Sequence, residues 1–140
     1  MPGNTVYLEA PSRTQDLLTI KWALRSAGDA IGSTWHEGEA STSFLASNDH
    51  WNARHVEQLL TCDSLVVICG NGDPATLELA MMAGVALARG LGVIWIGPVV
   101  RGLSEFRAVQ QFHTAEDFRR QILKHRHARS MSPTEDRLAA

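Results

Sequence analysis

Cysteine, proline and aromatic residues are scarce in this 140-residue chain, which has two Cys, five Pro, four Trp, four Phe and one Tyr. Two cysteines exclude a disulfide framework. Cys62 and Cys69 flank and end one apolar run, too far apart along an extended segment to bridge without disrupting it. We therefore predict that both are reduced core residues of a cytoplasmic protein, rather than a redox or metal pair.

Long apolar runs and an excess of one charge are also lacking. No run approaches the roughly 20 residues that span a bilayer, and no charged segment with a following apolar stretch opens the chain, so we expect neither a membrane span nor a signal peptide. Thirteen basic against 15 acidic residues give a formal net charge of −2. Nucleic acid and acidic membranes are therefore disfavoured as partners.

The length fits one domain, which we assign to residues 1–128, with a small polar segment, 129–140, as a disordered tail. Apolar runs bounded by Gly, Pro or polar residues predict strands, and helical spacing between them predicts helices. Ser12 with Gln15 has the spacing of a capping box, Gly28 supplies a stop, and 36–47 shows no periodicity. The predicted strands are 5–9, 30–35, 65–69, 92–96 and 109–112, and the predicted helices are 13–27, one from about 48 with Trp51, Val56, Leu59 and Leu60 on one face, 75–89, and 114–127.

Strands that alternate with helices predict a parallel sheet with right-handed crossovers, covered on both faces. The expected fold is α/β, a flavodoxin-like (Rossmann-like) three-layer sandwich with five parallel strands in the order 2-1-3-4-5. Ligands then bind at the switch point between strands one and three. The candidate binding residues in the two turns there are Pro11, Ser12, Arg13, Gly70, Gly72 and Asp73.

Glu78 is the first candidate for chemistry, because it is the one carboxylate in the first turns of an apolar helix that follows the second of these turns. It is either a nucleophile or base facing the crevice, or a surface acid that complements the positive end of the helix. Ser12 and Arg13 either hold a phosphate or cap a helix. Trp35 either lines a pocket or belongs to the core.

Signatures of other chemistries are missing. His50 and His55 lack the four-residue spacing of a zinc pair on a helix, so we expect no metal site. No P-loop, GxGxxG or GxSxG motif occurs, and no cofactor is expected. Asp63, between a helix and a strand, is most simply a structural acid that accepts backbone N–H bonds. The helix 75–89 is apolar almost all round, which predicts a homodimer or higher homo-oligomer through it.

Three segments together carry a family resemblance. The runs 6–11 (VYLEAP), 63–67 (DSLVV) and 84–90 (GVALARG) resemble the nucleoside 2-deoxyribosyltransferase superfamily, which includes the 2′-deoxynucleoside 5′-phosphate N-hydrolases. The resemblance spans about residues 5–123. It implies a glutamate nucleophile that attacks the anomeric carbon of a nucleoside, and a first-strand tyrosine, matched by Tyr7, that orients this glutamate.

The resemblance places the nucleophile in two registers. Counted forward from Asp63, the family's glutamate falls at or beside Glu78; counted back from the 84–90 run, it falls on Met82. His55 stands where the family has an aspartate used at the sugar and base, and Ser104 resembles a serine of its phosphate site. The resemblance implies cleavage or transfer at the N-glycosidic bond of a (deoxy)nucleoside, with a 5′-monophosphate favoured. The alternatives are a nucleotide-binding module that has lost the nucleophile, and a scaffold that only assembles.

Overall fold

A computed structural model describes residues 4–10, 14–34, 36, 53–69, 76–98 and 102–131 of the chain, without the side chains of 53–54, 76–78, 104 and 126–131. Within these residues, five strands form one parallel sheet in the order β2-β1-β3-β4-β5. This confirms the predicted flavodoxin-like fold. The strands are β1 (Thr5–Glu9), β2 (Ala30–Ile31), β3 (Ser64–Ile68), β4 (Gly92–Ile96) and β5 (Val109–Phe112), and the helices are α1 (Gln15–Ser26), α2 (Ala53–Leu60), α3 (Thr76–Ala88) and α4 (Ala115–Met131), with a short 3₁₀ helix at Leu103–Glu105.

Side chains alternate between two apolar cores, one on each face of the sheet. One face of β1 and β3 packs against α1 and α4, through Leu8, Val66 and Phe118 among others. The opposite face packs against α2 and α3, through Tyr7, Leu59 and Met82 among others. Because strand residues alternate between faces, Tyr7 and Glu9 both lie on the α2 and α3 side.

The prediction for the second strand was wrong in length, since only Ala30 and Ile31 pair with β1 as a strand. Gly32 N–H still donates to the Val6 carbonyl over 2.8 Å. At the next position, the Ser33 hydroxyl accepts the Leu8 N–H over 3.0 Å. A side-chain oxygen thus replaces the ladder carbonyl, and the strand ends there.

Helix α1 begins at a different cap from the one predicted. Thr14 is the N-cap, and its hydroxyl accepts the Leu17 N–H over 3.2 Å, so the Ser12 capping box was wrong. The stop at Gly28 is confirmed, because Gly28 has a φ of +96° and Asp29 N–H donates to the Leu24 carbonyl over 3.0 Å. This pairing is the Schellman motif, which requires a left-handed residue after the helix.

Two further helix predictions need correction. In α2, Leu59 is buried but Leu60 is exposed, so Leu60 does not share the core face. Helix α4 runs to Met131 rather than 127, so the first residues of the predicted tail are helical. Its start at Thr114 is confirmed, because the Thr114 hydroxyl accepts the Asp117 N–H over 3.1 Å.

Cys62 and Cys69 are both buried, which confirms their prediction as core residues. Asp63 has the predicted structural role, because its carboxylate accepts the Thr5 N–H at the start of β1 over 2.8 Å. None of the helices described has the length and apolar character that a bilayer crossing requires.

Candidate functional site

The carboxyl ends of β1 and β3 meet at the switch point of the sheet, where Glu9 is the register partner of Val67. In an open parallel sheet, ligands bind outside these strand ends. Helices α2 and α3 cover the same face as the side chains of Tyr7 and Glu9. The predicted binding residues Pro11, Ser12, Arg13, Trp35, Gly70, Gly72 and Asp73 lie outside the described part of the chain.

Tyr7 is fully buried on β1, and its hydroxyl lies 3.5 Å from Nδ1 of His55 on α2. That distance is at the long end for a hydrogen bond, so the contact is weak. Burial raises the pKa of Tyr7 far above its ordinary value, and the neighbouring Glu9 and Cys62 raise it further. The phenol therefore keeps its proton at every physiological pH and can act as a hydrogen-bond donor.

Glu9 is the second polar residue of this strand face and is 0% exposed. One carboxyl oxygen, Oε1, accepts the N–H of Ala10 over 3.0 Å. The other, Oε2, is buried and has no hydrogen-bond partner among the described residues. Burial raises the pKa of Glu9 well above its usual value near 4.5, although the Ala10 N–H lowers it in part. Burial therefore favours the neutral, protonated form of this carboxyl over the charged form.

A second polar group connects β1, α1 and the residues after β2. The Ser33 hydroxyl lies 2.9 Å from Nε2 of His36, and Nδ1 of His36 lies 3.4 Å from the Lys21 amino group. Ser33 and His36 are both buried. Since Ser33 also accepts the Leu8 N–H, this group fixes the chain after β2 to β1, and its role is structural.

The structure brings two of the predicted site residues together, Tyr7 and His55. For Glu78 and Ser104 it describes the backbone only: Glu78 is the third residue of α3, and Ser104 is the second residue of the 3₁₀ helix. The roles predicted for their side chains remain predictions. No group of three or more His, Cys, Asp or Glu side chains suited to a metal ion occurs within the described ranges.

Met82, the alternative nucleophile position, is fully buried in the core that contains Tyr7. A methionine cannot attack an anomeric carbon as a carboxylate does. Glu78 lies four residues earlier in α3, and helical periodicity places positions 78 and 82 on one side of the helix. The side of α3 that carries both positions therefore packs against the sheet at Met82.

The sequence reasoning missed Glu9 as a candidate site residue. Glu9 ends a short run of strand formers and was treated as a strand residue only. The available signal was its alternation with Tyr7, because a carboxyl two residues after a buried tyrosine on a strand lies on the same face. Trp95, in contrast, belongs to the core, with its indole N–H bonded to the Pro98 carbonyl over 2.7 Å.

Comparison with known proteins gives a likeness in fold. No family model matches the sequence, and no curated protein matches it. Among solved structures, the chain is similar to a 2-deoxyribosyltransferase from the psychrotolerant bacterium Bacillus psychrosaccharolyticus, with a TM-score of 0.57 and 18% identity over 82% of this chain and 90% of that one. At this identity, the match shows that the two chains share a fold.

Proposed function

We propose that the chain cleaves or transfers the N-glycosidic bond of a nucleoside or deoxynucleoside, with Glu78 as the nucleophile. The observation that carries the proposal is the contact of buried Tyr7 with half-buried His55, whose hydroxyl and Nδ1 lie 3.5 Å apart, on the sheet face covered by the helix that contains Glu78. The fold shared with a 2-deoxyribosyltransferase supports the same reaction class. A shared fold does not imply a shared activity, so the proposal is based on the residues of the site.

The reaction needs a carboxylate because breaking the glycosidic bond develops positive charge on the sugar ring. An adjacent carboxylate stabilises that charge and then captures the anomeric carbon as a glycosyl-enzyme. The bond to the base breaks with its electron pair moving to the base nitrogen. Water then releases the sugar in hydrolysis, or a second base accepts it in transfer.

Tyr7 is proposed to orient the Glu78 carboxylate by donating its phenolic hydrogen. Its raised pKa supports this role, because the phenol stays protonated. When the His55 Nδ1 carries a hydrogen, the imidazole donates to the phenol oxygen and leaves the phenol hydrogen for the carboxylate. His55 then holds the tyrosine in place. Because it stands where the family has an aspartate used at the sugar and base, His55 is also a proposed substrate contact.

A 5′-monophosphate is the proposed form of the substrate. Ser12, Arg13 and Ser104 would supply a guanidinium and two hydroxyls, which suit a phosphate. Ser104 is in the 3₁₀ helix that follows β4, and β4 lies next to β3 in the sheet. The measurement is a comparison of kcat/KM for each deoxynucleoside with that of its 5′-monophosphate, where equal values would contradict a phosphate site.

The decisive test replaces Glu78 by Gln and by Ala and follows base release from deoxynucleosides and their 5′-monophosphates by chromatography. Because both changes remove the covalent route, we expect kcat to fall on the order of 10³-fold or more. Glu57→Gln is the matched control, since Glu57 is an exposed glutamate on α2. Unchanged turnover in both Glu78 variants would refute the mechanism.

A second candidate function is a non-catalytic nucleotide-binding module of the same fold. The burial of Met82 in the core with Tyr7 favours it, because the second register of the family motif places the nucleophile at that position and no carboxylate stands there. Calorimetry with the same nucleotides separates the two functions. Binding without base release supports the module, and base release excludes it.

We also propose that the chain assembles as a homodimer or higher homo-oligomer through α3. Met81 on this helix is 52% exposed, and Phe106 after the 3₁₀ helix is 54% exposed. Gly84 and Ala88 follow Met81 on one exposed stripe of α3 and share a groove with Phe106. Water-exposed apolar area of this kind is typical of surfaces that a partner covers.

A further inference from the structure

We propose that Glu9 contacts the ligand: its Oε2 hydroxyl donates a hydrogen bond to an acceptor atom of the bound nucleobase. The inference rests on the proposed function, since it identifies which part of a nucleoside the residue recognises. Glu9 becomes a specificity-determining residue, distinct from the proposed nucleophile Glu78. It also becomes the group that makes base binding depend on pH.

The position of Glu9 is the first argument. It is the last residue of β1 and the register partner of Val67, so it stands at the carboxyl edge of the two strands that border the switch point. It lies on the same strand face as Tyr7, two residues away, and when ionised it raises the pKa of the Tyr7 phenol. A buried polar residue at this edge, on the face with the Tyr7 and His55 pair, lies where an α/β sheet binds its ligands.

The unpartnered oxygen is the second, independent argument. Nearly all buried polar atoms in native proteins have a hydrogen-bond partner. Oε2 of Glu9 has none among the described residues, while Oε1 is satisfied by the Ala10 N–H. Leaving such a group unsatisfied destabilises the fold, and in native proteins this cost is typically retained at functional sites. A ligand atom is the partner that removes the cost.

The protonation state decides the chemistry of that ligand atom. Burial favours the neutral form of the Glu9 carboxyl. In that form Oε2 bears the hydrogen and needs an acceptor, because Oε1 accepts the Ala10 N–H. Carbonyl oxygens and unprotonated ring nitrogens of nucleobases accept without donating. Sugar hydroxyls do both, and an anionic phosphate is matched by cations and N–H groups. A protonated Oε2, which donates its hydrogen, therefore fits the base better than the sugar or the phosphate.

Burial also implies that binding is coupled to a movement. Glu9 has no exposed surface, so a base reaches Oε2 only after atoms that cover it have moved. Contacts with the ligand supply the free energy for that movement. The apparent affinity is therefore lower than the intrinsic affinity, in proportion to the fraction of molecules in the open state. Slow, concentration-independent steps in base association are expected to accompany the hydrogen bond.

Calorimetry with free thymine, cytosine, adenine and hypoxanthine, and separately with 2-deoxyribose 5-phosphate, tests the inference. Glu9→Met keeps the length of the side chain but removes the donor, and we expect base affinity to fall about tenfold, or 1.4 kcal/mol, with sugar phosphate affinity unchanged. Glu9→Gln retains N–H donors and should bind bases nearly as the wild type does. Leu8→Met is the matched control, a buried change on the opposite face of the same strand.

The pH profile provides the second readout. As pH rises, Glu9 loses its proton and its donor, so the wild type should lose base affinity relative to Glu9→Gln. The elements of this face carry other titratable or charged residues, which are Tyr7 on β1, Arg54, His55 and Glu57 on α2, Glu78 on α3, and the thiols Cys62 and Cys69 beside β3. All of them are present in both proteins, so the difference between the two profiles reports Glu9. This comparison decides the matter even where Glu9→Met does not fold.

Thermal unfolding adds a readout that separates a ligand role from a packing role. Glu9→Met removes the unsatisfied Oε2, but it also removes the acceptor of the Ala10 N–H. Because these two effects oppose each other, we expect an unfolding temperature close to that of the wild type, with weaker binding of bases. Equal base affinity in wild type and Glu9→Met, or identical pH profiles in wild type and Glu9→Gln, would overturn the inference. If the wild type releases base but shows either of these outcomes, the proposed function stands and only the role of Glu9 is refuted. If the wild type neither binds nor cleaves any nucleotide, both the proposed function and the role of Glu9 are refuted.

Discussion

At the scale of single residues, Ser33 shows how one hydroxyl decides where a strand ends. It accepts the buried Leu8 N–H and contacts His36. Ser33→Ala removes both of these buried hydrogen bonds, which together stabilise a fold by about 1–3 kcal/mol. We therefore expect Ser33→Ala to lower the free energy of unfolding by about that amount, measured by urea denaturation.

The control for this prediction is Ser26→Ala, at the exposed last position of α1. A surface change of this kind should stay within about 0.5 kcal/mol of the wild type. Equal stabilities for Ser33→Ala and the wild type would mean that the Leu8 N–H finds another acceptor.

The sequence predicted residue roles unevenly, for physical reasons. Tyr7 was identified through its family resemblance and Asp63 through its place between a helix and a strand. Glu9 and Ser33 were missed as polar groups with buried roles, because polar residues at strand ends most often mark the exit from the core. Both side chains are 0% exposed, and this burial comes from tertiary packing around the end of β1 and the residues after β2. A local sequence pattern contains no information on how distant parts of the chain pack against a residue.

At the scale of elements, a glycine sets the end of β4. Gly97 has a φ of +119°, and a Cβ added there would overlap the Cys69 carbonyl oxygen. Gly97→Ala is therefore both strained and blocked by backbone, and we expect a loss of about 3 kcal/mol or more in the free energy of unfolding. Far-UV circular dichroism and thermal unfolding measure it.

Gly92, at the other end of β4, is the matched control. Its added Cβ would lie 3.8 Å from the Ser64 Cβ, an ordinary contact, and its φ is not positive. Gly92→Ala should change stability by less than about 1 kcal/mol. A Gly97→Ala protein as stable as Gly92→Ala would show that the carbonyl of Cys69 can move aside.

Elements with sharp chemical boundaries were predicted at the bounds observed. β1, β4 and β5 agree to the residue, and β4 is enclosed by Gly and Pro, which restrict the backbone directly. β2 was predicted too long, because its continuation is held by a side chain rather than by strand pairing. The start of α1 was missed for a similar reason: Ser12 and Thr14 are both good caps, and only the fold selects between them.

At the scale of the whole molecule, the strand order was predictable because few topologies satisfy right-handed, short crossovers. Burial of both faces of the sheet follows from the continuous apolar runs of β3 and β4. Assembly is different, since an exposed apolar stripe does not by itself specify what covers it. A measurement is therefore needed to identify what covers the exposed stripe of Met81, Gly84 and Ala88 beside Phe106.

Met81→Lys tests the proposed assembly. A lysine in the centre of an apolar interface leaves an unpaired charge without water, so we expect the wild-type oligomer to shift toward a monomer in sedimentation velocity, with circular dichroism unchanged. Trp22→Lys is the control, because Trp22 is a large exposed apolar residue on α1, 68% exposed, on the other side of the sheet. If Trp22→Lys dissociates the oligomer and Met81→Lys does not, the contact lies on the α1 side. A wild type that is monomeric at micromolar concentration would contradict assembly through α3, and its exposed stripe would then be open to a different partner.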